Sequence, residues 1–472
     1  MLHLKMKNIH KLSALGLAVA VIAFLGWRWQ SGRADIEAAA IVAANAQTSG
    51  TQQKTTMTSV SAALISPTSE QNVSPDAKQA KSGMAGKIDL TQEELKKLEG
   101  FCDDLLSHIS SEKDLDKFPD RLKKESPAAR DRLIQYLSAM LNRETDVVRR
   151  GAILFLLAQI QSQQVSANDL KDEKNCDESD DCMNKFRQLA SVRAQASVRA
   201  LIQQATTSTE PELYAMAYKS CNNFNLAPDQ ACLQISSRQW TRLDSDNALA
   251  WMFLLLDQKK TPTPAAELNA TLNQISRAGQ FQARMQTLQE IILTLLRQLD
   301  DTGMLLEVAA LQAMTSIVQA NSPYSVLYDS CQKQIKTDAS LKPVCSQIAQ
   351  NLMDKDQNSL LAHMLAEKIS RTINGASPAL DAYKKNLDVI NAYSQLKALQ
   401  RIKTSAKGQS ISKASMKQDC KLFVSDFYRD ALNLSAGEVR VSQQQRLASG
   451  LTDEQILEQA KKLRVELSAQ QK

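Results

Sequence analysis

The chain has 472 residues, 43% of them hydrophobic, with 14 Gly, 11 Pro and only 5% aromatics. That length suits several domains or one long repeat array, and a composition dominated by Ala, Leu, Gln, Lys and Glu favours helices over sheets. The net charge of +6 is mild and forms no basic stripe with interleaved aromatics, which argues against nucleic acid as a partner.

The first element reads as an export signal. Lys5, Lys7 and Lys11 precede the uncharged run LSALGLAVAVIAFLGW, and Trp27, Arg28 and Trp29 close it. A basic start followed by an apolar run directs export. The small-residue site at Gly32-Arg33-Ala34 is interrupted by Arg, and Ala44-Asn45-Ala46 lies far beyond the run. Residues 12–29 are therefore read as an uncleaved single-pass transmembrane signal-anchor, with a cleaved signal as the alternative. The basic segment 1–11 stays in the cytoplasm. In a Gram-negative cell the anchor sits in the inner membrane and the bulk of the chain in the periplasm. Residues 30–88, rich in Ala, Ser, Thr and Gln, lack apolar density and read as a disordered linker with a reach of about 40 Å.

Helical signals begin at Asp89. TQEE at 91–94 forms a capping box before Leu95, Leu98, Phe101, Cys102, Leu105 and Leu106. Ser126-Pro127 predicts the start of a second helix, with Leu133, Tyr136, Leu137, Met140 and Leu141 inward. Thr145-Asp146 caps a third, VVRRGAILFLLAQI. The pair at 127–160 resembles a HEAT-type helical hairpin, with Asp146 and Arg149 near the start of its second helix. These N-terminal helical hairpins span 89–165.

Residues 166–182 form an acidic loop ending in CDESDDC. It has no mid-loop Gly and no Glu where a calcium loop needs one, so a solvated loop closed by Cys176–Cys182 is the reading. The chain has eight cysteines and no C-x-x-C. In an exported protein, such clustered cysteines suggest disulfides, here Cys176–Cys182, Cys221–Cys232 and Cys331–Cys345. Cys102 and Cys420 remain, either joined across the folded part or buried as free thiols.

Pro211 opens the helix containing YAMAYKSC, where Tyr214, Tyr218 and Cys221 share one face. Pro228 predicts a returning helix with Cys232 one turn into it. WTRLDSDNALAW follows at 240–251. Further on, Tyr324, Tyr328, Ser330 and Cys331 repeat the order and spacing of Tyr214, Tyr218, Ser220 and Cys221. A turn, Cys345, and Asp354 and Asp356 follow, as Cys232, Asp244 and Asp246 follow in the first copy. Between the copies, residues 280–299 carry Met285, Leu288, Ile291, Ile292, Leu295 and Leu299 at helical spacing.

Leu243, Asp244, Asp246, Asn247, Ala248, Ala250 and Trp251 resemble the junction between tetratricopeptide-like repeats, with Ser245 where Pro is usual. The regular period of that family is absent. The resemblance covers about residues 183–370, within a repeat region read over 183–372. It implies an all-α fold of antiparallel helical hairpins stacked as an α-solenoid, followed by a C-terminal helical region at 373–472. There LTDEQILEQAKKLRVELSAQQK opens with a capping box at Thr452 and Gln455.

The sequence points to no catalytic residue, cofactor, metal site or small-molecule substrate. His108 and His363 each stand alone on a helix, and no Walker, H-E-x-x-H or G-x-S-x-G motif occurs. Tyr214, Tyr218, Trp240 and Trp251 leave two readings open, a concave ligand groove or packing between adjacent helices. The expected function is a membrane-tethered, exported helical-repeat module that binds an unidentified protein partner without catalysis. One alternative is a membrane-anchored foldase, because ALNLSAGE at 431–438 resembles the Leu-Ser-Ala stretch of lipase-specific foldases. Another is a cell-envelope hydrolase on a helical solenoid.

Overall fold

A computed structural model describes residues 92–107, 112–163, 180–222, 230–309, 323–355, 359–406 and 449–470, together with 311, 417, 420, 443, 446 and 447. The predicted transmembrane segment 12–29, the linker 30–88, most of the acidic loop and the stretch 431–438 lie outside them. The fold is all-α. Among the described residues there is no strand, and the one extended pairing is a bridge between Asn247 and Gln280. No described helix is long and apolar enough to cross a membrane.

The helices are α1 (Gln92–Ser107), α2 (Glu112–Arg143), α3 (Val147–Ser162), α4 (Asp180–Thr207), α5 (Pro211–Cys221), α6 (Ser237–Leu243) and α7 (Ala248–Lys260). They continue as α8 (Ala265–Arg277), α9 (Gln286–Gln298), α10 (Tyr324–Thr337), α11 (Lys342–Lys355), α12 (Leu360–Asn374), α13 (Pro378–Ala406) and α14 (Asp453–Gln470). Residues 302–309 are also helical, and 3-10 turns occupy Gln230–Gln234 and Ala339–Leu341.

The helix α3 is the centre of the N-terminal half. Its residues from Gly151 to Ile160 are buried without a break. A helix apolar all round needs cover on every side, and α2, α4, α5 and α9 supply it. Asp146 caps α3 as the sequence predicts, accepting from the Arg149 backbone N–H at 2.8 Å. Gly151 lets α5 approach closely: a Cβ there would stand 2.1 Å from Leu213 Cδ1. Gly151→Ala should therefore destabilise by about 1–2 kcal/mol even after the gain in helix propensity. Gly100 in α1 has nothing within 4 Å of such a Cβ. Gly100→Ala should instead stabilise by up to about 1 kcal/mol. Paired urea melts followed by circular dichroism check both signs.

Two sequence readings are corrected here. The second helix does not start at Ser126-Pro127: α2 runs through both residues. The Ser126 hydroxyl is not spent on a backbone cap. It donates to Glu307 and accepts from Arg130 Nη2 at 2.8 Å. The returning helix after Pro228 is likewise absent as one element. Cys232 lies in the 3-10 turn, and the short helix α6 starts afresh with Ser236 as its cap. Two turns with separate ends fit against α4 and α5 where one straight helix is not needed.

In the middle of the chain the helices pack in pairs. The α7/α8 hairpin packs on α10 and α11, and α12 covers both of the latter. Asn351 and Lys355 of α11 donate to the carbonyls of Ser276 and Ala278 at 2.8 and 3.1 Å, satisfying the otherwise orphaned C-terminus of α8. One set of contacts runs far back along the chain. The helix α9 returns to α3, and residues 297–309 return to α1 and α2. Lys97 pairs with Asp300 at 3.0 Å, Arg132 with Asp301 at 2.8 Å, and Tyr136 donates to Gln298 at 3.0 Å. Deeper in, Arg130 and Glu307 form a buried ion pair at 3.1 Å.

One apolar core runs from Phe101 through Ile369 and includes Cys420. A second, smaller cluster joins Val389, Ala392, Tyr393 and Leu396 of α13 to Ile456, Ala460 and Leu463 of α14. The predicted capping box opens α14: Thr452 Oγ1 accepts from the Gln455 N–H at 3.2 Å and Gln455 Oε1 accepts from the Thr452 N–H at 2.9 Å.

Candidate functional site

The tyrosines of YAMAYKSC face inward. Tyr218, Trp240 and Phe253 form a triangle with every centroid separation at 5.3 Å. Trp240 is 0% exposed, and Tyr214 and Tyr218 are 2% exposed. The groove reading is thereby corrected for Tyr214, Tyr218 and Trp240. These three are core between α5, α6 and α7, because three large rings on adjacent helices fill the space that a groove would need. Trp251 is half-buried, and its indole N–H donates to the Ser245 carbonyl at 2.8 Å. The Tyr218 hydroxyl donates to Asp257 at 2.7 Å, and burial with that carboxylate beside it pushes the phenol pKa up.

The densest polar cluster lies beside this triangle, at the junction that the repeat resemblance marks. Asn247 caps α7, accepting from the Leu249 N–H at 3.2 Å. The same Oδ1 accepts from the Gln282 N–H at 3.0 Å, while Nδ2 donates to the Gln282 carbonyl at 2.9 Å and to Asp244 at 2.7 Å. Arg284 then grips Asp244 with two bonds, Nη2 at 2.6 Å and Nε at 2.9 Å. That double contact holds the Arg284 guanidinium pKa above its usual value. Asp246 accepts from the Gly279 N–H at 2.7 Å, and its carboxylate lies where a Cβ on residue 279 would stand. Arg284 itself has φ +54°, the only non-glycine residue with positive φ among those described. A side chain is uncommon there, so the ion pair holds the backbone in a conformation it would not otherwise favour.

The helix α5 braces the same segment from the other side. Glu212 accepts from the Thr287 N–H at 2.7 Å. Met285, at the start of α9, offers no side-chain cap, so a carboxylate from α5 supplies one. Burial raises the Glu212 pKa. Two turns further along α5, Lys219 is 5% exposed and its Nζ donates to the Ala283 carbonyl at 3.3 Å. Burial lowers its pKa to about 7.

The cluster thus fixes residues 279–287 as a strap between α8 and α9, and so sends α9 back to α3. Sequence reasoning found Asp244, Asp246 and Asn247 but missed Glu212, Lys219, Gln282 and Arg284. The one local signal was Gly279, a break between two helical periods. Asn247→Ala removes the cap and both strap bonds. It should cost about 2 kcal/mol, read as a lowered urea midpoint at unchanged slope.

Three disulfides are described. Cys221 bonds Cys232 with 5.5 Å between Cα atoms, Cys331 bonds Cys345 at 5.8 Å, and Cys102 bonds Cys420 at 5.9 Å. The pairing of Cys176 with Cys182 lies outside the described side chains, although Cys182 itself falls in the first turn of α4. Ser220 and Ser330, each preceding the first cysteine of a hairpin, are both buried with no partner for the hydroxyl among the described residues. The echo fades after that. Asp354 is still inside α11, Asp356 lies outside the described residues, and Ser359 rather than an aspartate caps α12. His363 is buried at the α12–α13 contact, with Nδ1 hydrogen-bonded to the Tyr383 hydroxyl. His108 lies outside the described residues. No three His, Cys, Asp or Glu side chains converge as a metal site would need, among the residues described.

No family model matches the chain. No curated protein and no solved structure matches it either.

Proposed function

We propose that the chain is an exported helical-repeat module, tethered to the membrane by residues 12–29, that binds another protein and performs no catalysis. The observation that carries the exported part is covalent. Cys102, Cys221, Cys232, Cys331, Cys345 and Cys420 are all bonded, and an oxidising compartment forms and keeps such bonds. Stacking of the α7/α8 hairpin on α10 and α11, with α12 covering both, supports a tetratricopeptide-like α-solenoid over the middle of the chain. Such stacks bind through extended surfaces and need no reactive group. The stapled turn Gln230–Gln234 packs on α4, and Leu233 of that turn is 84% exposed while Val192 of α4 is 70% exposed. Apolar side chains held outward on a rigid turn suit docking of a protein partner better than capture of a small polar ligand.

A photo-crosslinking residue at position 233, at position 192 or in place of Leu361, a 48% exposed side chain of α12, in the full chain in intact cells tests the reading. The expected result is one discrete protein adduct at one of these faces, with its yield falling when a neighbouring apolar residue is made acidic. Failure to obtain any protein adduct at all three positions would overturn it.

A further inference from the structure

We infer that the outer face of α12, formed by Leu361, Met364 and Lys368, is a docking site for an amphipathic helix of the partner protein, seated there as α10 is seated on α7. The inference rests on the protein-binding reading above and names its surface. A comparison within the chain carries it. The two stapled segments correspond further than the cysteines show, once they are counted from their helix caps. Asn247 caps α7 and Ser359 caps α12. Leu249, Ala250 and Met252 lie two, three and five residues past the first cap, and Leu361, Ala362 and Met364 lie at the same distances past the second. The neighbours correspond too. The helix α7 packs on α6 before it and α8 after it, and α12 packs on α11 and α13 in the same way. In both helices a side-chain bond marks the side toward the following helix. Gln258 of α7 donates to Glu267 and accepts from Thr271 of α8, and His363 of α12 is hydrogen-bonded to Tyr383 of α13.

One neighbour of α7 has no counterpart. The first helix of the next segment, α10, also packs on α7. Phe253 turns to Trp240 of α6 and Gln258 to α8, so helical spacing puts Met252 on the third side of α7, with Leu249 and Leu256 flanking it. Leu249 is 3% exposed and Met252 0%. At the same three positions α12 carries Leu361, 48% exposed, Met364, half-buried, and Lys368, exposed. The helix described after α13, α14, packs on α13 and leaves these side chains outside the core. What covers this side of α7 says what fits the same side of α12. A helix packs on a helix through an apolar stripe at spacings of three and four. Lys368 stands where α7 has Leu256, so the far end of the stripe calls for a carboxylate. The next cation along, Arg371, is already bonded to Glu367 and Asp381. The occupant is thus a helix with two apolar side chains one turn apart and an Asp or Glu a turn beyond them. A second copy of this chain cannot offer its α10, because Leu327 and Cys331 of that helix are closed into its own core.

The test places a photo-crosslinking phenylalanine at 361, 364 or 368 of the full chain in intact cells and maps the adducted residues of the captured protein by peptide mass spectrometry. As the probe moves along α12, the adducts should move along one segment of one protein in steps of three or four residues. Leu361→Asp should lower the yield at 364 about tenfold, as loss of an apolar anchor does. Lys368→Glu should lower it as well, and exchanging the facing carboxylate of the captured protein for lysine should restore it. An unchanged yield in Leu361→Asp overturns the inference. So do adducts to a second copy of this chain, and adducts scattered without helical spacing. Capture at 233 or 192 with none on α12 also overturns it, but leaves the protein-binding reading standing. Absence of any protein adduct at 192, 233 and 361 removes that reading too, which is a distinct result.

Discussion

Replacing Cys102 and Cys420 together by alanine should cost about 5 kcal/mol, against about 3 kcal/mol for removing either local staple. The difference follows from loop length. The long bond closes 318 residues, and the short ones close 11 and 14. Each restricts the unfolded chain, and the restriction grows with the logarithm of the loop. Alanine is the right replacement because both sulfurs sit in the apolar core. The loss should also have an address. The helix α1 is otherwise held by the burial of Phe101 and Leu106 and by Lys97, which reaches Asp300 and the Arg297 carbonyl. Hydrogen exchange should therefore rise first in 92–107 and in the segment 297–309 that returns to it. Urea melts of the three double variants give the ranking. Equal losses for long and short bonds would show that chain entropy is not what the long bond supplies.

Much of the helical scaffold was legible because its determinants are local. The caps at Asp146 and Thr452 are set by side chains within three residues of the amides they satisfy. The apolar period read over 280–299 holds as a buried face at Leu288, Ile291, Ile292 and Leu295, but the helix itself starts only at Gln286, because 279–285 are taken up by the strap. What failed was decided at a distance. Nothing near Ser126 announces that its hydroxyl will be claimed by Glu307, and with the hydroxyl so used α2 continues past a proline that looked like a start. The tyrosine–tryptophan set left groove and core both open, since both place aromatics on one helical face. Only the third ring, Phe253 from α7, decides for core. The strap is the extreme case. Arg284 is unremarkable in its own neighbourhood, and its role appears only when Asp244, Asn247 and two side chains of α5 surround it.

The strap also makes the folded chain sensitive to pH through Lys219. Its pKa is about 7 in the folded chain and 10.5 without the fold, with burial as the cause. Between those values the unfolded chain holds a proton that the folded chain has released. Stability contributed at this position therefore rises as pH climbs from about 7 to 10.5, and the penalty is complete below 7. The size at neutral pH and below is a few kcal/mol, on the order of 1.4 for each unit of displacement. Lys219→Met removes the titrating group, keeps the chain length and gives up one long hydrogen bond to Ala283. At pH 6 the variant should be more stable than the parent by about 3 kcal/mol. At pH 9.5 most of that advantage should have gone, because the solution is then only one unit below the unfolded amine's pKa of 10.5 and little of the penalty remains. Glu212, on the same helix, works in the opposite window. Burial raises its carboxyl pKa, so its contribution falls as pH rises through the ordinary carboxylate range. The two effects separate cleanly on the pH axis, and urea titrations of parent and variant at pH 4, 6, 8 and 9.5 resolve them. A Lys219→Met advantage that stayed constant from pH 6 to 9.5 would mean that the amine is not what the strap is built around, and that the substitution acts by packing alone.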